Sequence, residues 1–214
     1  VVFTHVLPVD FGPRGRGEFV LRAFCGLVLY TSFAETVGRA PGVVLAHPNF
    51  VTKMVFPLEA LPAADVWASA VLLALNLVIV LVAVAVTSGL AWTAVLLPLV
   101  LLPLLMTTLG IGWALAALGV YVRDLQSVVG LLLTMLFFLT PVFYRLEDVH
   151  SPELRLVLAS NPLAAPLEGA RAVVIDGVVP DPGQWAVGCA IGLVLLHAGH
   201  ACFRLCRRGF ADVL

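Results

Sequence analysis

The sequence predicts an all-α, polytopic bundle of transmembrane helices that forms one domain over residues 1–214. Hydrophobic residues make up 61% of the 214 positions and charged residues only 12%, whereas a soluble domain is about half apolar and about a quarter charged. No Asp, Glu, Lys, Arg or His occurs from Val66 through Val122. A helix needs about 20 residues to cross a bilayer core about 30 Å thick. This segment is therefore long enough for two crossings and a turn.

The first complete span is predicted at Phe19 to Glu35, after a turn-rich polar loop at 10–18. Arg22 lies one turn from the end of this span, so we expect its stem to snorkel and anchor the guanidinium among the headgroups. Val1 to Val9 is apolar but too short to cross, and the first residue is not Met. We therefore expect a chain truncated at its amino terminus, which keeps the end of one span and five complete spans.

Residues 37–62 differ in kind, because glycines, prolines and charged side chains interrupt the apolar pattern. The glycines and prolines of this segment are Gly38, Pro41, Gly42, Pro48, Pro57 and Pro62. This composition predicts an aqueous loop that holds one or two short helices.

Two further spans occupy the charge-free segment. One begins at Ala64 or Asp65 and ends near Val86, where Thr87-Ser88-Gly89 is a turn signal. The next runs from about Trp92 to Tyr121 and contains two prolines, which membrane helices tolerate. We expect this long helix to be kinked or tilted.

The remaining chain holds two spans separated by a mixed segment. After the polar turn at Arg123-Asp124, residues 125–144 are uncharged and predict a span that Thr140-Pro141 closes. Residues 145–183 mix charges, prolines and apolar positions, which predicts amphipathic helices at about 151–159 and 162–175 that lie at the interface or dip into it. A final span is predicted at 184–203.

The distribution of lysine and arginine predicts the orientation, because these residues are enriched on the cytoplasmic side. With five spans, one face carries Arg39, Lys53, Arg123, Arg204, Arg207 and Arg208, and the other carries Arg14, Arg16, Arg145, Arg155 and Arg171. The numerical bias is slight. Because the tail arginines directly follow a span, we expect the 37–62 loop and the tail to be cytoplasmic and the 145–183 region to be extracytoplasmic.

Several kinds of chemistry have no signal in this sequence. There is no GxxxxGK[ST] phosphate-binding loop, so ATP hydrolysis is not expected in this chain. The histidines are dispersed, the four cysteines lie in apolar segments, and no cofactor or metal site is expected. The net charge of −1 does not indicate a nucleic-acid partner. From residue 65 to the last span the spans hold no ionisable group, which disfavours an ion-coupled transporter.

Five segments, in order along the chain, carry a resemblance to a known family. They are His47 to Pro62, the helix end Tyr121-Val-Arg-Asp124, the helix end Thr140-Pro-Val-Phe-Tyr144, the stretch Ser160 to Arg171, and the tail Arg208 to Leu214. Together they resemble ABC type-2 permeases of the branch that exports polysaccharide, O-antigen or teichoic acid.

The resemblance implies a six-span exporter permease in the bacterial inner membrane, with both ends cytoplasmic. It further implies two permease subunits, a partner ABC ATPase that binds ATP and Mg, and a lipid-linked glycan as the substrate. An ABC type-2 permease for a drug or a simple lipid is the first alternative. A membrane-embedded enzyme or scaffold is the second.

The resemblance also implies an ATPase-coupling region within 37–62 and at the following polar turn. The candidate residues are Asn49, Phe50, Thr52, Lys53, Phe56, Arg123 and Asp124. A coupling helix needs a polar face and an apolar anchor, and these residues supply both. The alternatives are an ordinary solvated loop at 49–56 and a charge pair that ends a helix at Arg123-Asp124.

A re-entrant outer gate after the span at 125–144 is implied in the same way, with an interfacial amphipathic pair of helices as the alternative. Because sugars stack on aromatic rings, we expect the substrate pathway or gate to include Tyr30, Phe33, Phe137, Phe138, Pro141, Phe143 and Tyr144. The alternative for the aromatic members is a belt at the membrane interface.

Overall fold

The computed structural model describes residues 16–52, 57–144, 151, 153, 158 and 160–210. Within these ranges the chain is helical with connecting turns and has no strand, which confirms the all-α prediction. The helices are α1 Arg16–Val43, α2 Pro48–Thr52, α3 Ala60–Thr87, α4 Leu97–Tyr121, α5 Leu125–Leu139, α6 Ala164–Arg171 and α7 Pro182–Cys206. Four of them, α1, α3, α4 with the turn before it, and α7, are long and apolar enough to cross a membrane.

Helix α1 continues beyond its predicted end and passes through Pro41 to Val43. The prediction that the aqueous loop begins at residue 37 was therefore wrong. A proline removes one backbone donor, but tertiary packing outweighs this local cost in a membrane helix. Here Pro41 is buried, and α4 approaches it so closely that a Cβ on Gly119 would collide with the Pro41 carbonyl.

Helices α3 and α4 match the two spans predicted in the charge-free segment. The turn between them is where the sequence places it, since α3 ends at Thr87 and Gly89 adopts a left-handed φ of 79°. A 3₁₀ turn at Trp92–Leu96 leads into α4, which keeps Pro103 in its interior.

Helix α5 ends at Leu139, directly before the Thr140-Pro141 pair that was predicted to close the span, so it is shorter than the uncharged segment 125–144. Its 15 residues span only about 22 Å at 1.5 Å per residue. The physical reason lies at Thr140, which precedes a proline and is therefore disfavoured in the helical region. Thr140 is extended, with φ −93° and ψ 135°.

Helix α6 confirms the element predicted at 162–175, and a π turn, Ala172–Asp176, extends it. Gly177 ends it with a φ of 68°. The helix does not lie on the bundle surface. Leu167, Ala170 and Val173 are fully buried in the main hydrophobic core with residues of α1, α3, α4 and α5. The helix predicted at 151–159 lies outside the described residues, apart from positions 151, 153 and 158.

The most extensive helix pairing joins α4 and α7. Their backbones touch at Gly110 and Gly199, where a Cβ on Gly199 would collide with the Gly110 carbonyl. Asp181 caps the start of α7 by accepting a hydrogen bond from the Gly183 N–H at 3.0 Å. Because both helices run the length of the bundle, this contact fixes its two ends relative to each other.

Candidate functional site

A second, smaller hydrophobic core lies at the end of the bundle where α1, α4 and α7 finish. We call it the end cluster, and its buried members are Val44, Leu58, Ala116, Ala117, Val120, Phe203 and Phe210. Phe203 and Phe210 pack edge to face with ring centroids 5.6 Å apart. Val44 and Leu58 flank the loop between α1 and α3, so the cluster fastens both edges of that loop to the bundle.

The short helix α2 sits on the end cluster through Phe50, which is half-buried against it. The neighbouring Asn49 is exposed. The His47 ring lies 5.9 Å from the Phe50 ring, and its Nδ1 is 3.1 Å from the Val43 carbonyl oxygen. The helix therefore presents a polar side chain outward and an apolar anchor inward. Thr52 ends it, while Lys53 and Phe56 lie outside the described residues.

Polar contacts join the same loop, the helix α4 and the end of α7. The Trp113 Nε1–H donates to the Glu59 carbonyl at 2.9 Å, and the Tyr121 hydroxyl donates to the Cys206 carbonyl at 2.6 Å. Arg207 Nη1 donates to both carboxylate oxygens of Glu59, at 2.7 and 2.9 Å. These bonds tie the loop, α4 and the tail into one unit.

The Glu59 carboxylate is stabilised in its charged form. Burial alone would raise its pKa, but hydrogen bonds from its own backbone N–H and from Arg207, with the Arg207 charge, hold the pKa below the usual 4.5. A depressed carboxyl pKa stabilises the fold above the unfolded-state pKa, and that contribution is lost as the pH falls through the folded-state pKa. The pair is therefore intact at neutral pH.

Arg123 and Asp124 lie at this same end, directly after α4, and both are exposed. The Asp124 carbonyl accepts hydrogen bonds from the Ser127 and Val128 N–H groups at the start of α5, at 3.1 and 3.3 Å. The two charged side chains are thus displayed on the face that carries α2. Their contact with a partner stays a prediction.

At the opposite end of the bundle Arg171 is buried, with 5% of its surface exposed. Its guanidinium donates to the carbonyls of Pro141 at 2.6 Å, Val142 at 2.5 Å and Arg22 at 3.1 Å. The side chain thereby fastens the non-helical segment after α5, residues 140–144, to α1. Sequence reasoning missed this role and counted Arg171 only as a loop charge. The one relevant signal was Gly26 in α1, where a Cβ would collide with the Arg171 guanidinium.

Arg22, for which the sequence predicts an anchor among the headgroups, has two acidic partners within the fold. It pairs with Glu18, one turn earlier at 2.8 Å, and with Asp176 at the end of the π turn. Its side chain is only 13% exposed. Because Asp176 is brought in by the fold, the sequence near Arg22 does not reveal this partner.

The aromatic pathway candidates are brought together between α1 and α5. The Tyr30 ring lies 6.4 Å from Phe33 and 5.0 Å from Phe137, and Phe137 lies 5.6 Å from both Phe138 and Phe143. The Tyr30 hydroxyl donates to the Leu133 carbonyl. Tyr30 and Phe33 are buried within this chain, whereas Phe138 is 72% exposed. Their role in a pathway stays a prediction.

The remaining gate candidates lie in the non-helical segment 140–144 that follows α5. Pro141 is buried, and Tyr144 packs at half-burial against Leu158 and Ala164. Asn161 supports the same turn by donating from Nδ2 to the Thr140 hydroxyl at 2.9 Å. The non-helical segment is therefore held from α6 and its leading turn.

The structure is a helical membrane domain. At one end the end cluster holds the loop between α1 and α3, and at the other end α6 packs into the main hydrophobic core. A family model described as ABC-2 type transporter matches residues 3–175. The chain belongs to the ABC-2 type transporter family, and it is a membrane permease.

Relatives of this chain include O-antigen export permeases. The O-antigen export system permease protein RfbA of Myxococcus xanthus is 34% identical over 197 residues, which cover 91% of this chain and 76% of that protein. Two proteins of the same name from Klebsiella pneumoniae are each 23% identical, over 88% and 92% of this chain and 73% and 76% of their own lengths.

Proposed function

We propose that this chain is the permease subunit of an ATP-driven exporter that moves a lipid-linked polysaccharide across the bacterial inner membrane. The observation that carries the proposal is the packing of α2 on the bundle. Phe50 contacts the end cluster, which the ends of α1, α4 and α7 share. A force applied to α2 therefore reaches the ends of α1, α4 and α7 together. The names of the relatives, which are O-antigen export permeases, supply the substrate class.

The energy source in this proposal is a separate ABC ATPase, which binds ATP and Mg. It contacts the cytoplasmic face formed by α2 and by the exposed Arg123-Asp124 turn. Phe50 anchors the loop to the permease and Asn49 meets the ATPase. For Thr52, Lys53 and Phe56 the proposal keeps the coupling role that the resemblance implies. The loop and the carboxyl tail are then cytoplasmic, and α6 and the segment it holds lie toward the opposite face.

The pathway in this proposal runs between two copies of the permease. Tyr30 and Phe33 are buried within one chain, so they stiffen the wall of the path, whereas the exposed Phe138 is placed to meet a sugar ring or the second copy. Sugar rings stack on aromatic faces, and Phe143, beyond the end of α5, adds to this aromatic group through its contact with Phe137. Tyr144 packs against Leu158 and Ala164 and is a candidate for the gate. Arg171 holds this end of the wall in position through its three backbone acceptors.

Deletion of the gene tests the substrate class. We expect loss of surface polysaccharide, accumulation of the lipid-linked glycan inside the cell, and recovery of both on return of the gene. The Phe50→Leu variant, which keeps an apolar anchor, serves as the matched control and is expected to restore the polysaccharide. An unchanged surface polysaccharide in the deletion strain, with altered drug resistance or lipid composition, would instead identify the drug or simple-lipid branch.

A further inference from the structure

A cleft at the end of α7 carries a charge arrangement that neither the coupling helix nor the outer gate uses. It has a volume of about 650 Å³ and is lined by Glu59, Ala201, Arg204, Leu205, Arg207 and Arg208. The lining residues come from the last turn of α7, the 3₁₀ turn that follows it, and the loop residue just before α3. We propose that this cleft binds the phosphate group of an anionic membrane lipid.

The charges of the cleft do not cancel. Arg207 is engaged by Glu59 through two short contacts, at 2.7 and 2.9 Å. Arg204 and Arg208 are both exposed. Among the described residues that line the cleft, three arginines against one glutamate leave two positive charges, and guanidinium groups bind phosphate oxygens in a two-pronged geometry.

The apolar part of the lining favours a lipid over a soluble anion. Ala201, Arg204 and Leu205 have the i, i+3, i+4 spacing that places residues on one helix face. All three are exposed, and Leu205 has 69% of its surface accessible. Arg208 follows one turn later, at the end of the chain's last membrane-length helix. A lipid uses both parts of this face, since its phosphate meets the arginines and its acyl chain covers Leu205.

A simpler role for the arginines is to complement the negative end of the α7 dipole and to mark the membrane boundary. That role requires positive charge but no cleft, no neutralising Glu59 pair and no particular headgroup. The two explanations therefore differ in whether binding depends on the chemistry of the lipid. The inference does not depend on which substrate the protein exports.

The test uses the whole chain in nanodiscs of phosphatidylcholine, alone or mixed with phosphatidylglycerol, and follows thermal unfolding and the lipid retained in native mass spectrometry. We expect phosphatidylglycerol to raise the unfolding temperature and to be retained. Each basic residue near an anionic lipid contributes about fivefold in affinity, so the double variant Arg204→Gln, Arg208→Gln should weaken retention about 30-fold. Arg123→Gln, which removes an exposed arginine at the same end of the bundle, should retain the lipid as the unmodified chain does.

Three results would overturn the proposal. The same unfolding temperature in nanodiscs with and without phosphatidylglycerol would show that the headgroup is irrelevant. A loss of lipid retention in Arg123→Gln equal to that in the double variant would show a diffuse charge effect. Inorganic phosphate that reproduces the whole stabilisation in phosphatidylcholine nanodiscs would identify a soluble anion as the ligand. The double variant changes only exposed side chains, and its folding is checked by its unfolding temperature in phosphatidylcholine alone, which should equal that of the unmodified chain.

Discussion

At the scale of single residues, Arg171 shows how a charge is accommodated inside this bundle. Its guanidinium donates to carbonyls that the chain's own geometry exposes, since the non-helical backbone at Pro141 and Val142 leaves these oxygens outside a helical ladder. A buried carbonyl without a partner is costly. The arginine and the break in α5 therefore stabilise each other.

Replacing this arginine should destabilise the protein. Each hydrogen bond from a charged donor contributes about 1.5 to 3 kcal/mol, and relief from burying the charge offsets part of the loss, so we expect Arg171→Met to cost about 3 kcal/mol. For a chain of this size the unfolding temperature would fall by roughly 10 °C. Thermal unfolding of the purified protein measures this.

The matched control is Arg123→Met, which removes an exposed arginine. Exposed substitutions usually change stability by no more than about 0.5 kcal/mol, so its unfolding temperature should stay close to that of the unmodified chain. Equal unfolding temperatures for the two variants would show that the buried arginine does not support the fold.

At the scale of helices, the pairing of α4 with α7 depends on the absence of side chains at one crossing. Gly199 and Gly110 bring the two backbones into direct contact. Small residues at such crossings allow close van der Waals packing, which is a main source of helix association in lipid. Gly130 in α5 is a useful contrast, because a Cβ there meets nothing within 4 Å.

The Gly199→Ala and Gly130→Ala variants should therefore differ in their effect on stability. We expect Gly199→Ala to separate the helices and to destabilise the protein by about 1 to 3 kcal/mol, the usual cost of overpacking. Gly130→Ala should be neutral or should stabilise by up to about 1 kcal/mol, because alanine favours a helix. Thermal unfolding of both variants distinguishes these effects, and a loss at Gly130 equal to that at Gly199 would rule out the close crossing as the cause.

The helices also show how far local sequence signals reach. The charge-free segment and its Thr87-Ser88-Gly89 turn predicted α3 and α4 well, because apolar length alone decides whether a helix crosses a membrane. The end of α1 was predicted less well, and that error concerns a proline. Pro41 is accommodated within α1 by close packing on Gly119, whereas Pro141 ends α5 by restricting Thr140. The end of α5 follows from its local sequence, whereas the outcome at Pro41 depends on tertiary neighbours, which the local sequence does not specify.

At the scale of the whole molecule, two ends with different chemistry are joined by the same helices. One end holds the loop and α2 on the end cluster, and the other holds the break after α5 through Arg171. The loop motifs indicated which segments belong to each end. The sequence did not indicate that Glu59 meets Arg207 or that Arg22 meets Asp176, because both pairs join segments that are distant along the chain.

This arrangement explains how movement at one end can reach the other. Helix α4 contributes Val120 to the end cluster and, through the turn that precedes it, contacts the π turn after α6, where the Thr93 hydroxyl donates to the Val173 carbonyl at 2.7 Å. A rigid helix with a contact at each end transmits displacement along its length. In the proposed exporter, force on α2 therefore reaches the segment held by Arg171.

The most direct test of this account is transfer of a lipid-linked glycan by the permease and its partner ATPase in proteoliposomes, with and without ATP. We expect transfer that depends on ATP, that is retained in Phe50→Leu, and that falls about tenfold in Phe50→Asp, because a carboxylate is costly against the end cluster. Transfer at the same rate without ATP, or ATP-dependent transfer in Phe50→Asp equal to that of the unmodified chain, would contradict the account.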